Sequence, residues 1–356
     1  MNDNKVNKKN PIELGYKLLP EWAEHNATWI GWPQNKKDWP GKFAPIQWVY
    51  GEIVRKIAEG EKVRILVDSK EVERKALEVL KMVHTNISNV EFYHFKCNRG
   101  WTRDSGPVFL KRENETALAK FKFNAWAKYR NFHKDEKLPE FIQSKLDIKA
   151  FDVLYNNKQV VLEGGSIDYN GEGTLVTTEE CLMDQSVQVR NSGFSKDDYL
   201  NVFSNYLGVK NIIWLGKGIA GDDTHGHVDD ICRFVNKNTL VIAMEHNKND
   251  ANYTNLNDNK ERLKDAVLSD GSKPEIIELP MPAALMFDGE RLPASYANFY
   301  ICNSAVLVPT FNDPNDRVAL GLLSDLFPGK VVCGIHAVDL VWGFGTLHCL
   351  THEQAL

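Results

Sequence analysis

The sequence predicts an α/β protein assembled from a recurring strand–strand–helix–strand unit. Three observations lead there. Polar motifs are repeatedly followed by hairpin patterns, each hairpin by a helix-compatible segment, and the helices by short apolar strands. The units recur at about 50 to 70 residues, a spacing typical of propeller-like or stacked arrays. They share this pattern and little sequence.

Residues 1–13 are short of apolar periodicity and rich in Lys and Asn, and are expected to be disordered. One domain is expected over residues 14–356, because no Pro/Gly/Ser-rich linker divides it. Ala27–Trp32 reads as a strand and Gln34–Lys42 as a loop. Pro45 opens a helix to about Ala58, with Ile46, Val49, Ile53 and Ile57 on one face. Val63–Val67 and Val90–Phe95 read as strands, with a helix from Lys70 to about Val83 between them. Hairpins then follow Trp101–Asp104 (Pro107–Leu110 with Ala117–Phe123), Glu163–Ser166 (turning at Asn170-Gly171) and His227–Asp229 (Ile231–Val235 with Thr239–Met244). A fourth pairs Tyr300–Asn303 with Val306–Pro309. The helical segments are Leu138–Leu146, Lys196–Leu207, Lys260–Leu268 and Asn315–Phe327. Closing strands fall at Ile212–Leu215, Ile276–Leu279 and Lys330–Cys333.

Composition narrows the function. The chain is 43% hydrophobic and 26% charged, as in ordinary globular proteins. A net charge of −5 gives no basic footprint for nucleic acid. No apolar run is long enough to span a bilayer, and the polar N-terminus does not resemble a signal peptide. The six cysteines include no CxxC pair, which argues against a zinc knuckle, a redox dithiol or a disulfide scaffold. A cytoplasmic protein is expected. A homo-oligomer is compatible with the sequence.

Asp104, Glu163 and His227–Asp229 fall at the same place in successive units, just before the first hairpin strand. Cys349, five residues after Phe344 in Gly343-Phe344-Gly345-Thr346-Leu347-His348-Cys349, takes that place in the last unit. It reads as a strand or turn tucked into the fold. Units set around an axis would bring these groups together. Cys349 is then a candidate nucleophile, although free cysteines are often simply buried. Asp222–Asp230 also suits a metal site or a solvated acidic loop. No second His/Asp cluster completes a coordination shell, so no metal or other cofactor is expected. The preferred reading is a general acid/base His227 beside Asp229, two residues apart on one strand face. Trp101 offers a flat face to a cation, and Asp104 accepts parallel N–H donors from a guanidinium. The glycines of Glu163-Gly164-Gly165-Ser166 permit close backbone approach. Two carboxylates gripping a planar cation, a thiolate attacking its carbon and a histidine moving protons suit guanidinium hydrolysis.

These motifs carry a family resemblance. Thr28–Pro33, Trp101–Pro107, Glu163–Ser166, Gly226–Asp229, Pro293–Tyr300 and Leu347–Thr351, in that order, resemble the agmatine deiminase branch of the guanidino-group-modifying superfamily. Bacterial peptidylarginine deiminases are close relatives of that branch. The resemblance runs from Leu14 to the C-terminus. It implies a five-bladed pseudo-symmetric α/β propeller, the pentein fold. It implies conversion of agmatine to N-carbamoylputrescine and ammonia, a step towards putrescine, without metal or organic cofactor. Residue by residue, it implies that Cys349 forms an amidino-thioether and that His227 exchanges protons with ammonia and water. It further implies that Glu163 orients His227, that Asp104 and Asp229 bind the guanidinium, and that Trp101 packs on the substrate.

Two departures bear on substrate choice. Phe344 stands where the family usually has glycine. Asp223 stands where many agmatine enzymes carry glutamate, and is the candidate for binding the distal amine on a shorter arm. Alternatives are deimination of arginine residues or of another guanidino compound, or a silent relative that binds a cation. An active Cys349 is expected to react as a low-pKa thiolate.

Overall fold

The computed structural model describes residues 9–356. Residues 1–8 of the expected disordered leader lie outside the described residues. The rest of that leader is not as expected. Asn10 and Glu13 exchange hydrogen bonds, the Asn10 amide reaches Asn205 Oδ1 at 3.2 Å, and Pro11–Gly15 form a turn with Pro11 buried. The cause is contact with the distant helix that bears Asn205, which composition does not reveal.

Five sheets of three or four strands carry the architecture. Three of them share one plan: a short strand pairs antiparallel with a longer one, and a helix then returns the chain to a parallel third strand. Asp168–Tyr169, Thr174–Thr178 and Asn211–Leu215 form one. Cys232–Phe234, Thr239–Met244 and Glu275–Pro280 form the next. Tyr300–Ile301, Ala305–Thr310 and Val331–His336 form another. A fourth sheet, Val108–Arg112, Glu115–Lys120 and Lys149–Asp152, follows the same plan and adds Lys17–Leu18 on its edge.

The fifth sheet joins the two ends of the chain. Thr351–Ala355 pairs antiparallel with His25–Gly31, which continues in parallel to Lys62–Val67 and Val90–His94. This pairing explains why a cysteine so near the C-terminus is held firmly. Leu347–Leu350, expected as a strand or turn, is a short helical turn that leads directly into the closing strand.

Local signals fix most helices. Ser195 and Asp198 form a capping box before Lys196–Leu207, and Gly208 ends that helix in the left-handed conformation. Asp313 and Asp316 do the same for Pro314–Leu326, which has proline in its first turn. One helix is displaced from expectation: Tyr253–Lys264 replaces Lys260–Leu268. Its asparagines make it read as loop. Asn259 is fully buried, however, and bonds Gly216 N at 2.7 Å and Lys217 O at 2.8 Å. Tertiary hydrogen bonds override propensity there.

Short helical turns precede the first strands of four sheets: Thr102–Ser105, Gly164–Ser166, Val228–Asp230 and Leu347–Leu350. They pack against one another, and they carry the residues singled out by the sequence. Among the described residues, no helix is long and apolar enough to cross a membrane.

Candidate active site

Cys349, Asp104, Glu163, His227 and Asp229 are all buried in this cluster of turns. The tight packing depends on glycine. A Cβ on Gly165 would lie 2.6 Å from His227 Nδ1 and 2.9 Å from oxygens of both Asp104 and Asp229. The close approach expected of Glu163-Gly164-Gly165 is therefore present. His227 and Asp229 do not lie two apart on a strand, as expected. A 3-10 turn over Val228–Asp230 separates them, shaped by Asp222, whose carboxylate accepts from the backbone of Thr224, Gly226 and His227.

The thiol of Cys349 lies 3.6 Å from Asp229 Oδ2 and accepts from Asn298 Nδ2 at 3.1 Å. Burial, then the charges of Asp229, Asp230 and Asp104, push its pKa well above the ordinary thiol range. Burial and these carboxylates oppose the low-pKa thiolate expected of an active Cys349.

His227 sits 3.9 Å from Asp104 Oδ1 and 3.7 Å from Glu163 Oε2. Burial disfavours its charged form, but Asp104, Cys181 and Glu163 outweigh this and raise its pKa well above the usual histidine value. Glu163 is held by Arg190, whose Nε lies 3.2 Å from both carboxylate oxygens. Burial would raise the Glu163 pKa; Arg190 and His227 bring it below the ordinary value. Glu163, Cys181 and His227 bring potential ligand atoms within 4.8 Å of one another. Since Arg190 already neutralises Glu163, this set reads as support for an acid/base histidine.

The two aspartates differ. Asp104 accepts from Trp126 Nε1 at 2.8 Å and from Gly165 N at 3.0 Å; burial, with Asp229 and Glu163 nearby, raises its pKa. Asp229 accepts from His348 Nδ1 at 2.7 Å, and despite burial its pKa is lowered, chiefly by that histidine.

A cavity of about 520 Å³ opens onto this cluster, lined by Trp101, Asp104, Trp126, Asp223, Phe344 and Cys349 among others. Trp101 packs against Trp39 with ring centres 5.8 Å apart. A Cβ on Gly345 would meet Trp101 at 2.9 Å, so glycine is needed there for the indole to fit. Phe344 adopts φ +65° and is partly exposed at the cavity mouth. Asp223 lines the mouth, but its carboxylate is already engaged by Lys128 and by Tyr129 Oη, the latter at 2.6 Å.

Asn298, Trp126, Arg190 and His348 carry contacts that sequence reasoning did not assign. For Asn298 a signal existed: it precedes the first strand of its sheet, the position that holds Asp104, Glu163 and His227 in theirs. Arg190 lies in an irregular loop with no pattern pointing to Glu163.

Small mixed sheets whose leading turns gather at one cluster have the α/β pentein fold of solved agmatine deiminases. The chain belongs to the Porphyromonas-type peptidyl-arginine deiminase family, whose model matches residues 17–355. The structure of Agmatine deiminase of Enterococcus faecalis is 26% identical, covers 98% of each chain and superposes with a TM-score of 0.89. A C. jejuni agmatine deiminase with substrate bound, in which one cysteine is replaced by serine, is 31% identical over 96% of each chain, at a TM-score of 0.84. A Legionella pneumophila (strain Philadelphia 1) relative classed by name with the agmatine deiminases is 34% identical over 97% of this chain and 96% of its own.

Proposed function

We propose that this protein is an agmatine deiminase, and that its five sheets form the blades of one propeller domain around the cavity. The family membership and the agmatine deiminases among its relatives support the substrate. The observation that carries the chemistry is the thiol of Cys349, buried beside Asp229 at the floor of a cavity also lined by Asp104.

In this reading the guanidinium lies between Asp104 and Asp229, with Trp101 against it. Its positive charge offsets the field that keeps the thiol protonated, so the thiol ionises on binding and its proton passes to solvent. Cys349 Sγ then bonds to the guanidinium carbon. His227, as imidazolium, donates a proton to one nitrogen, and the carbon–nitrogen bond breaks to release ammonia. The amidino-thioether remains. Neutral His227 next accepts a proton from water, whose oxygen bonds to the same carbon. Expulsion of the thiolate, which takes up the remaining hydroxyl proton and returns to the thiol, leaves N-carbamoylputrescine. Glu163, itself fixed by Arg190, holds the charged state of His227 in both halves. Asp223 faces the substrate's distal ammonium only if Lys128 yields it.

The test is ammonia release from agmatine, arginine and a peptidyl-arginine substrate in parallel, with and without chelator. Selective, chelator-insensitive turnover of agmatine is expected. Turnover of arginine or peptide in its place would discard the substrate, and loss of activity with chelator would discard the metal-free mechanism.

A further inference from the structure

We infer that His348 is a positioning residue that keeps Asp229 ionised and aimed at the guanidinium, by bridging it to Glu21 on the far side of the cavity wall. The inference rests on the reading of Asp229 as a guanidinium-binding carboxylate.

His348 is the residue before the nucleophile. It is buried, and both ring nitrogens face carboxylates. Nδ1 lies 2.7 Å from Asp229 Oδ2 and Nε2 lies 2.7 Å from Glu21 Oε2. Ionised carboxylates only accept hydrogen bonds, so a ring that satisfies both must donate from both nitrogens, and such a ring is the imidazolium. The backbone fixes its place: His348 N donates to Asn298 Oδ1 at 3.0 Å, and His348 O accepts from Arg103 Nε at 3.2 Å.

The groups around it explain how a buried cation persists. Glu21 Oε2 also accepts from Arg233 Nη2 at 3.0 Å and Arg103 Nη2 at 3.3 Å, and its other oxygen accepts from Ile301 N. Arg233 pairs in turn with Asp168, and Arg103 with Glu353 at 2.6 Å. His352 and the neutral thiol of Cys349 complete the surroundings. A second, smaller cavity of about 60 Å³, lined by Glu21, Arg103 and His348, lies along this far side. His348 lines this smaller cavity, while Cys349, the next residue, lines the reactive one. The consequence is the difference between the two aspartates. Asp104 accepts only neutral donors besides its contact with His227. Asp229 faces a held cation, which favours its charged form.

The sign of the effect follows. Asp229 must be ionised to bind a cation. Removing the imidazolium raises its proton affinity, so binding competence is lost at a higher pH than in the wild type. The experiment is the pH profile of kcat/KM for agmatine in the wild type, His348→Gln, Glu21→Gln and Asp229→Asn. For His348→Gln the acid limb should move up by about one pH unit, a tenfold change in proton affinity. The loss should sit mainly in KM and should shrink as pH rises. Glu21→Gln, which preserves shape, should move the limb the same way by less, and it carries the test if His348→Gln does not fold. A merely structural role lowers kcat/KM equally at every pH; an unmoved acid limb in both variants overturns the inference. A wild-type KM in Asp229→Asn overturns the reading of Asp229 itself, and with it this role for His348.

Discussion

The two sides of the wall formed by His348 differ in how completely their polar groups are paired. On the cavity side, His227 Nδ1 and Nε2 and Asp229 Oδ1 are buried without a hydrogen-bond partner among the described residues. On the far side, Glu21 alone accepts from Arg103, Arg233, His348 and the Ile301 backbone, although His352 Nδ1 is left without a partner there. A buried unpaired polar group costs roughly 1–3 kcal/mol. The cavity side therefore retains an acceptor, Asp229 Oδ1, that a cationic ligand can pair, and the Glu21 side holds it in position. Reactivity and rigidity are divided between two faces of one wall.

The strongest way to break this division is at Cys349. Cys349→Ser keeps both aspartates and should still bind agmatine by calorimetry, while steady-state ammonia release falls by about a thousandfold or more, as expected when a nucleophile is removed. Near-wild-type turnover would end the covalent mechanism. The raised thiol pKa adds a second readout. Alkylation of free Cys349 should be slow at neutral pH and accelerate as pH rises towards the thiol's pKa. A thiol alkylated rapidly in mildly acidic buffer would contradict the field of Asp229, Asp230 and Asp104.

The Glu21 side should fail differently. Arg233 is fully buried and donates to Glu21, the carbonyls of Ala297 and Phe299, and Asp168. Arg233→Met leaves two buried carboxylates without their shared cation, at a cost of about 3–5 kcal/mol. Urea unfolding should show this as a lower midpoint. An unchanged midpoint would mean that the far side does not support the wall.

Much of this was legible in the sequence, for identifiable reasons. The strand–strand–helix–strand unit was visible because turn residues and apolar runs mark each of its elements. It also placed Asp104, Glu163 and His227, since each unit offers its leading turn to the same locus. Three things were hidden. The helix Tyr253–Lys264 is stabilised by the buried Asn259, against its propensity. Arg190 reaches Glu163 from a loop without periodicity. The engagement of Glu21 by His348 joins residues 327 positions apart, a pairing that local pattern does not encode. The protonation of Cys349 is hidden from the sequence for a related reason. Its pKa depends on Asp230 and Asp229 approaching from another sheet, and a motif names the thiol without giving its field.

The mouth of the cavity tests the smallest effect. Lys128 Nζ pairs with one oxygen of Asp223 and Tyr129 Oη donates to the other. A primary ammonium is the same chemical group as the distal end of agmatine, so Lys128 competes with the substrate for this carboxylate. The pair is partly exposed: the side chain of Lys128 is 41% accessible and that of Asp223 17%. Pairs of this kind contribute up to about 1 kcal/mol, equivalent to at most roughly a fivefold change in affinity. Lys128→Met should therefore lower KM for agmatine by at most about fivefold, with kcat unaltered because the ammonium lies far from the bond that breaks. Arginine should gain less, since its α-carboxylate would meet Asp223 without the lysine to screen it. A rise in KM for agmatine would show that Lys128 shapes the mouth for the substrate and does not compete with it.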